Sequence, residues 1–133
     1  MPEKATRDRA ARKKREGKAP TTQAGEFVRE EMHHIREGKH GARSTKQAIA
    51  IGLSKARRAG VTLKPPAKGR TSKETRRSAM RDYRRGQSGR TRKPSARRAQ
   101  ATKRALKREG RSAASHRALS RQARRTVRRR RRG

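Results

Sequence analysis

A chain of 133 residues with 44 lysines and arginines against 10 acidic residues carries a net charge of +34, and a compact globule with that charge would repel itself strongly. Apolar residues make up 26% of the chain, Phe27 and Tyr83 are its aromatics, and it has no cysteine. This leaves room for one small core at most, excludes disulfides and thiolate metal sites, and marks a chain that orders fully only with a counter-charged partner.

The charge is uneven. Residues 1–21 carry 8 basic and 3 acidic groups, residues 22–63 carry 8 and 4, and residues 64–133 carry 28 and 3. The expected organisation is a basic N-terminal arm over 1–21, a near-balanced core over 22–63 and an arginine-rich tail over 64–133. From Met1 to Gly17 there is charge but no apolar stretch of a secretory signal. No run approaches the roughly 20 apolar residues of a membrane span. The chain reads as soluble and intracellular, with no membrane partner.

Within the core, the spacing predicts a helix over 22–37. Ala24, Phe27, Val28, Met32 and Ile35 fall on one side of it, within an arc of about 140°. Thr21 or Thr22 can cap its start, Glu26 suits the positive end of the dipole, and Gly38 supplies a left-handed stop. Glu31 lies inside the apolar arc, so a basic partner is expected for it from the next helix. That second helix is expected over 45–59, opened by a capping box of Ser44 and Gln47. Ala48, Gly52 and Ala56 form a ridge of small side chains that lets two backbones approach. Gly60 ends the helix, and Val61 can cover the end. The short connection makes the pair antiparallel. The fold class expected is therefore all-α, a small helical hairpin with basic arms that are partly disordered or conditionally helical. A hairpin of about 40 residues is marginal alone. Met80, Tyr83 and Leu106 are candidates to complete its core, and dimerisation through the hairpin is a second way to do so.

The block Lys39-His40-Gly41-Ala42-Arg43-Ser44-Thr45-Lys46-Gln47-Ala48-Ile49-Ala50-Ile51-Gly52-Leu53-Ser54-Lys55-Ala56-Arg57-Arg58, with the acidic-apolar helix before it, resembles an uncharacterised family of small basic bacterial proteins. The resemblance covers roughly residues 1–63. It implies bacterial origin and carries no activity with it.

In the tail, Thr71 with Glu74 reads as a capping box for a helix to Arg85, stopped by Gly86. Ser95 reads as the start of a helix to Glu109, stopped by Gly110, and Ser112 as the start of a last helix into the arginine run. Arg-Glu-Gly recurs at Arg15, Arg36 and Arg108, and reads as a repeated helix-end signal. On the last helix Arg117, Arg121, Arg124 and Arg128 fall within about 60°, with Leu119, Ala123, Thr126 and Val127 on the other side. Lysine is absent after Lys107, and Arg128 to Arg132 are consecutive. Arginine offers a planar fork that holds phosphate bidentately.

Helix starts bind anions, and four expected starts combine hydroxyls with cations: Arg43-Ser44-Thr45-Lys46, Arg70-Thr71-Ser72-Lys73, Arg92-Lys93-Pro94-Ser95 and Arg111-Ser112. Lys64-Pro65-Pro66-Ala67-Lys68-Gly69-Arg70 is similar to a minor-groove AT-hook, although Lys68 stands where that motif has arginine, and a flexible basic linker is the plainer reading. The candidate nucleic-acid contacts are thus Arg43, Ser44, Thr45, Lys46, Lys68, Arg70, Lys73, Arg97, Arg98, Arg117, Arg121, Arg124, Arg125 and Arg128 to Arg132 (Arg128, Arg129, Arg130, Arg131, Arg132).

His33, His34 and His40 match no firm zinc spacing and read as solvated, so neither metal nor cofactor is expected. No catalytic constellation is evident, and an enzyme is not expected. With two aromatics, base stacking along a single strand is disfavoured. The expected function is sequence-nonspecific binding of duplex DNA by phosphate neutralisation, as an architectural protein of the bacterial nucleoid. The alternative is an RNA-binding or ribosome-associated basic protein.

Overall fold

The computed structural model describes residues 3–89 and 95–132. The described residues form helices and no strand: α1 (Lys4–Arg15), α2 (Pro20–Arg36), α3 (Thr45–Arg58), α4 (Lys73–Ser88), α5 (Ala96–Lys107), a 3-10 turn at Ser112–Ala114, and α6 (His116–Arg132). The all-α expectation holds. The chain divides into two compact units, one of Met1–Glu30 with Ile51–Lys93 and one of Glu31–Ala50 with Pro94–Gly133.

The first unit is built on Ala10, Ala24, Phe27, Ala56 and Val61, with Leu53 and Leu63 packed against them. Ala10 comes from the segment expected to be only a basic arm. That segment is α1, and Thr6 and Ala10, four residues apart on one face, are its buried side chains. So slight an apolar face leaves no hydrophobic periodicity to read. Docking of α1 rests instead on polar contacts. Arg9 Nε and Lys13 Nζ lie 2.9 and 2.6 Å from the buried carboxylate of Glu26. The Lys13 ammonium does most to hold the Glu26 carboxyl below its ordinary value; burial opposes this, and Arg9 adds to it. Glu30 also accepts the Glu3 backbone N–H at 2.6 Å, satisfying a donor at the start of α1.

α2 starts earlier than expected, at Pro20, and not on a threonine cap. The Ala19 carbonyl receives the N–H groups of Thr22 and Gln23, and proline suits the first helical position because its missing N–H has no partner to lose. Along α3, the expected small-residue ridge brings two backbones together: a β-carbon on Gly52 would lie 2.7 Å from Val28 Cα. The helix ends at Arg58 with Gly60 at φ 100°, and the pair of bonds Gly60 N–H to Arg57 and Val61 N–H to Ala56 closes it, with Val61 buried over the end. Arg57 then folds back, Nε and Nη2 donating to the Leu63 and Lys64 carbonyls at 3.1 and 3.3 Å. Burial pushes its guanidinium below the ordinary value, and Asp82 opposes that.

Two expectations for α4 are corrected. Its cap is Ser72, whose hydroxyl accepts the Thr75 N–H, and not Thr71 with Glu74. The helix also runs through Gly86 to Ser88 and stops at Gly89, which has φ 69°. Gly86 serves a close approach to α3 and needs no left-handed backbone. α4 buries Ala79 and half-buries Met80 and Tyr83.

In the second unit, the last turn of α2 ends on Gly38 (φ 79°) with the same two-bond closure seen after α1 at Gly17. Arg-Glu-Gly is thus a helix-end signal at its first two occurrences. The third differs: α5 stops at Lys107, short of Glu109, and Gly110 has no positive φ. There the backbone pairs with the α2–α3 connection instead, Gly41 N–H donating to Leu106 at 2.7 Å and Ala42 N–H to Gly110 at 3.0 Å. A β-carbon on Gly41 would lie 1.9 Å from the Glu109 carbonyl oxygen, so glycine is required at that crossing. Ile35, Ala42, Ala48, Ala113 and Ala114 are buried in this unit, and Arg36 Nε donates to the Ala114 carbonyl at 3.0 Å. The last helix opens on Ser115 and not on Ser112: the Ser115 hydroxyl accepts the Ala118 N–H at 3.1 Å, while Ser112 lies in the 3-10 turn.

Candidate nucleic-acid interface

The α3 start is built by reciprocal capping. Ser44 Oγ accepts the Gln47 N–H at 3.1 Å, and Gln47 Oε1 accepts the Arg43 N–H at 2.6 Å. This is the expected pair, with the return bond one residue earlier than in a standard capping box. Thr45 is buried, and its hydroxyl donates to the Ala113 carbonyl. It therefore ties α3 to the 3-10 turn and has no donor left for an anion. Arg43, Ser44 and Lys46 remain exposed around it.

That tie sets α6 beside the α3 start. Between them is an open cleft of about 560 Å³, lined on the α3 side by Arg43, Ser44 and Lys46 and on the α6 side by Ser115, Arg117, Arg121, Arg125 and Arg129. The four arginines follow at every fourth position, so they form one ladder along the helix. The cleft has cations on both walls, a helix N-terminus and the serines Ser44, Ser112 and Ser115. That combination attracts multivalent anions, above all phosphates.

The arginine face read from the sequence divides here. Arg117 and Arg121 line the cleft, whereas Arg124 and Arg128, with Arg131, Ala123 and Val127, border a shallower groove elsewhere on α6. Arg125 and Arg129 join the cleft although they lie off the arc expected from the wheel. Arg130 is exposed, and the side chain of Arg132 lies outside the described residues. Arg97 and Arg98 are exposed in the first turn of α5, where Ser95 caps through the Arg98 N–H at 3.2 Å. Arg92, Lys93 and Pro94 of that expected start lie outside the described residues. Lys68, Arg70 and Lys73 belong to the first unit: Lys68 and Arg70 flank Gly69 in an exposed turn closed by the Arg70 N–H on Ala67, and Lys73 is exposed in the first turn of α4.

The histidines are not all solvated as expected. His33 is exposed, but His34 and His40 are half-buried, their rings 6.0 Å apart at 81°. Glu31, fully buried, has a basic partner in His40, whose Nε2 lies 3.0 Å from Oε2. That partner comes from the connecting loop and not from the next helix, because Gly38 turns the chain straight back over the last turn of α2. The signal was present in the sequence as Glu31 and His34, one turn apart, with a third donor six residues on.

Among the described residues no helix is long and apolar enough to cross a membrane. No curated protein and no solved structure matches the chain. Residues 15–68, which run from the last residue of α1 through α2 and α3, match the model of a family of unknown function (DUF6496).

Proposed function

We propose that this protein is a non-catalytic, sequence-nonspecific nucleic-acid-binding protein that grips the phosphate backbone of duplex DNA, acting as an architectural factor of the nucleoid. The observation that carries the reading is the cleft in which Arg117, Arg121, Arg125 and Arg129 face Arg43, Ser44 and Lys46. The ladder from Arg117 to Arg129 spans about 18 Å at 1.5 Å per residue, a length over which one strand of B-DNA carries about five phosphates. The scarcity of aromatic side chains supports backbone contact over base stacking.

In this reading the α2–α3 pair is a helical hairpin that holds the α3 start in place, and the basic tail supplies most of the counterion release. Its helices consolidate when phosphate neutralises them. The test is a competition titration of the full chain on labelled duplex DNA at several salt concentrations, with ribosomal RNA as competitor. If about ten phosphates are engaged, the log–log slope against salt is about −9. A slope shallower than about −3 overturns phosphate neutralisation as the mechanism. Displacement of the duplex by a low excess of RNA assigns the protein to structured RNA instead.

A further inference from the structure

From Glu31, His34 and His40 we infer a binding site for a divalent transition-metal ion, zinc in chemical class, built where the end of α2 meets the returning loop. The inference is independent of the nucleic-acid reading.

Glu31 and His34 stand three residues apart on α2, so both project from one face of the helix. Glu-x-x-His at this spacing is a recurring way for a helix to offer two ligands to one ion. The left-handed turn at Gly38 brings His40 back onto the same face. One ligand atom from each of the three residues lies within 4.8 Å of the others, close enough for a small contraction to bring them around a single ion.

The orientation of His40 sharpens the case. Its Nδ1 lies 2.9 Å from the Gly41 carbonyl oxygen, which can only accept, so Nδ1 carries the hydrogen. Nε2 is then the atom presented to Glu31 Oε2 at 3.0 Å. A backbone carbonyl that fixes the tautomer of a histidine and aims its other nitrogen is the usual outer support of a metal-ligating imidazole. A ring nitrogen and a carboxylate oxygen at this distance need a cation between them, and either a proton or a metal ion meets that need.

The frame around the site is rigid. Glu31 is completely buried, where a carboxylate is costly without a close cation. Gly41, which orients His40, is held by its N–H bond to Leu106 and by a crossing with Glu109 that admits no β-carbon. Two imidazoles and one carboxylate are a zinc donor set with a coordination position to spare for water or an exogenous ligand. The excess positive charge of the chain opposes any cation, but a metal that displaces the bridging proton adds one net charge and not two.

The experiment uses the full chain, free of nucleic acid and of any histidine tag, titrated with Co²⁺ followed by Zn²⁺ in competition. The expected result is a saturating visible spectrum of low-symmetry, four- or five-coordinate cobalt at one ion per chain, abolished by Zn²⁺. Expected also is a loss of roughly tenfold or more in affinity in H34A and H40A, with H33A and H116A like the wild type. Circular dichroism checks that each variant folds. If H34A or H40A does not, the wild type still decides the matter, because Co²⁺ should broaden the ring signals of His34 and His40 and spare those of His33 and His116. Non-saturating binding, an octahedral aquo-like spectrum, unchanged affinity in folded H34A and H40A, or broadening spread over all four histidines overturns the site.

Discussion

Gly86 lies so close to the carbonyl of Arg57 that a β-carbon built on it would sit 1.7 Å from that oxygen. Nearby, the Gln87 side chain donates from Nε2 to the Gly60 carbonyl at 3.2 Å, so α4 meets the backbone at the end of α3 both at Gly86 and through this amide. G86A must push the two backbones apart, and a loss of about 1–3 kcal/mol is expected. Gly25 is the control. It is helical and exposed, and a β-carbon there meets nothing within 4 Å, so G25A should gain about 0.5–1 kcal/mol. Urea unfolding followed by circular dichroism measures both.

Docking of α1 is expected to weaken in acid. The folded-state carboxyl of Glu26 is held below its ordinary value, chiefly by Lys13. Its contribution is therefore complete above the ordinary carboxylate range, and is lost as pH falls through that range to the lower folded-state value. E26Q should lose stability at neutral pH and show a flatter acid limb. Arg9 and Lys13 are 39% and 34% exposed, so solvent screening limits the effect to about 1 kcal/mol. Stability measured against pH for both proteins reads this out, and parallel acid limbs would remove Glu26 from the account.

Position and charge in the cleft should separate experimentally. T45V keeps the shape of the side chain but leaves the Ala113 carbonyl without its donor, at about 1–3 kcal/mol. It should weaken duplex binding while leaving the salt slope unchanged. R121A and K46A remove cations from opposite walls, and each should reduce the slope by about 0.9. If T45V flattens the slope as R121A does, losing the Thr45 anchor takes cations of the cleft out of reach of the phosphates, and position and charge do not separate.

The elements that were legible in the sequence are those with a strong apolar stripe or a glycine stop. α2 and α3 showed both, and the small ridge at Gly52 was readable because only close backbones need it. α1 was not legible, since its buried face is one alanine and one threonine and its docking depends on Glu26, a residue that suits its own helix dipole equally well. Gly86 was read as a stop because glycine inside a helix and glycine after one look alike until the partner backbone is known. In the site, the α3 start was legible from its capping residues. The membership of Arg125 and Arg129 was not, because a helical wheel ranks arginines by their mutual angle, whereas the cleft is set by where Thr45 anchors the neighbouring turn. His40 was misread for a related reason: the spacing of Glu31 and His34 was readable, but the loop reversal at Gly38 that returns His40 to them is not encoded in spacing alone.

The ladder on α6 sets helix stability against binding. Arg117, Arg121, Arg125 and Arg129 follow at four-residue intervals, so each neighbouring pair is a like-charge pair that destabilises the free helix. Phosphate removes that cost, and the helical signal of the full chain should rise when duplex DNA is added. R121E tests the cause. A glutamate at that position faces Arg117 on one side and Arg125 on the other, turning two repulsive pairs into attractive ones worth about 0.2–0.5 kcal/mol each. The variant should therefore be more helical than the wild type when free, yet bind duplex DNA more weakly and gain less helix on binding. Circular dichroism and binding titration on one sample read both changes. If free helicity and affinity fall together in R121E, Arg121 stabilises α6 by a contact of its own, and the coupling of tail folding to phosphate binding must be sought in another helix.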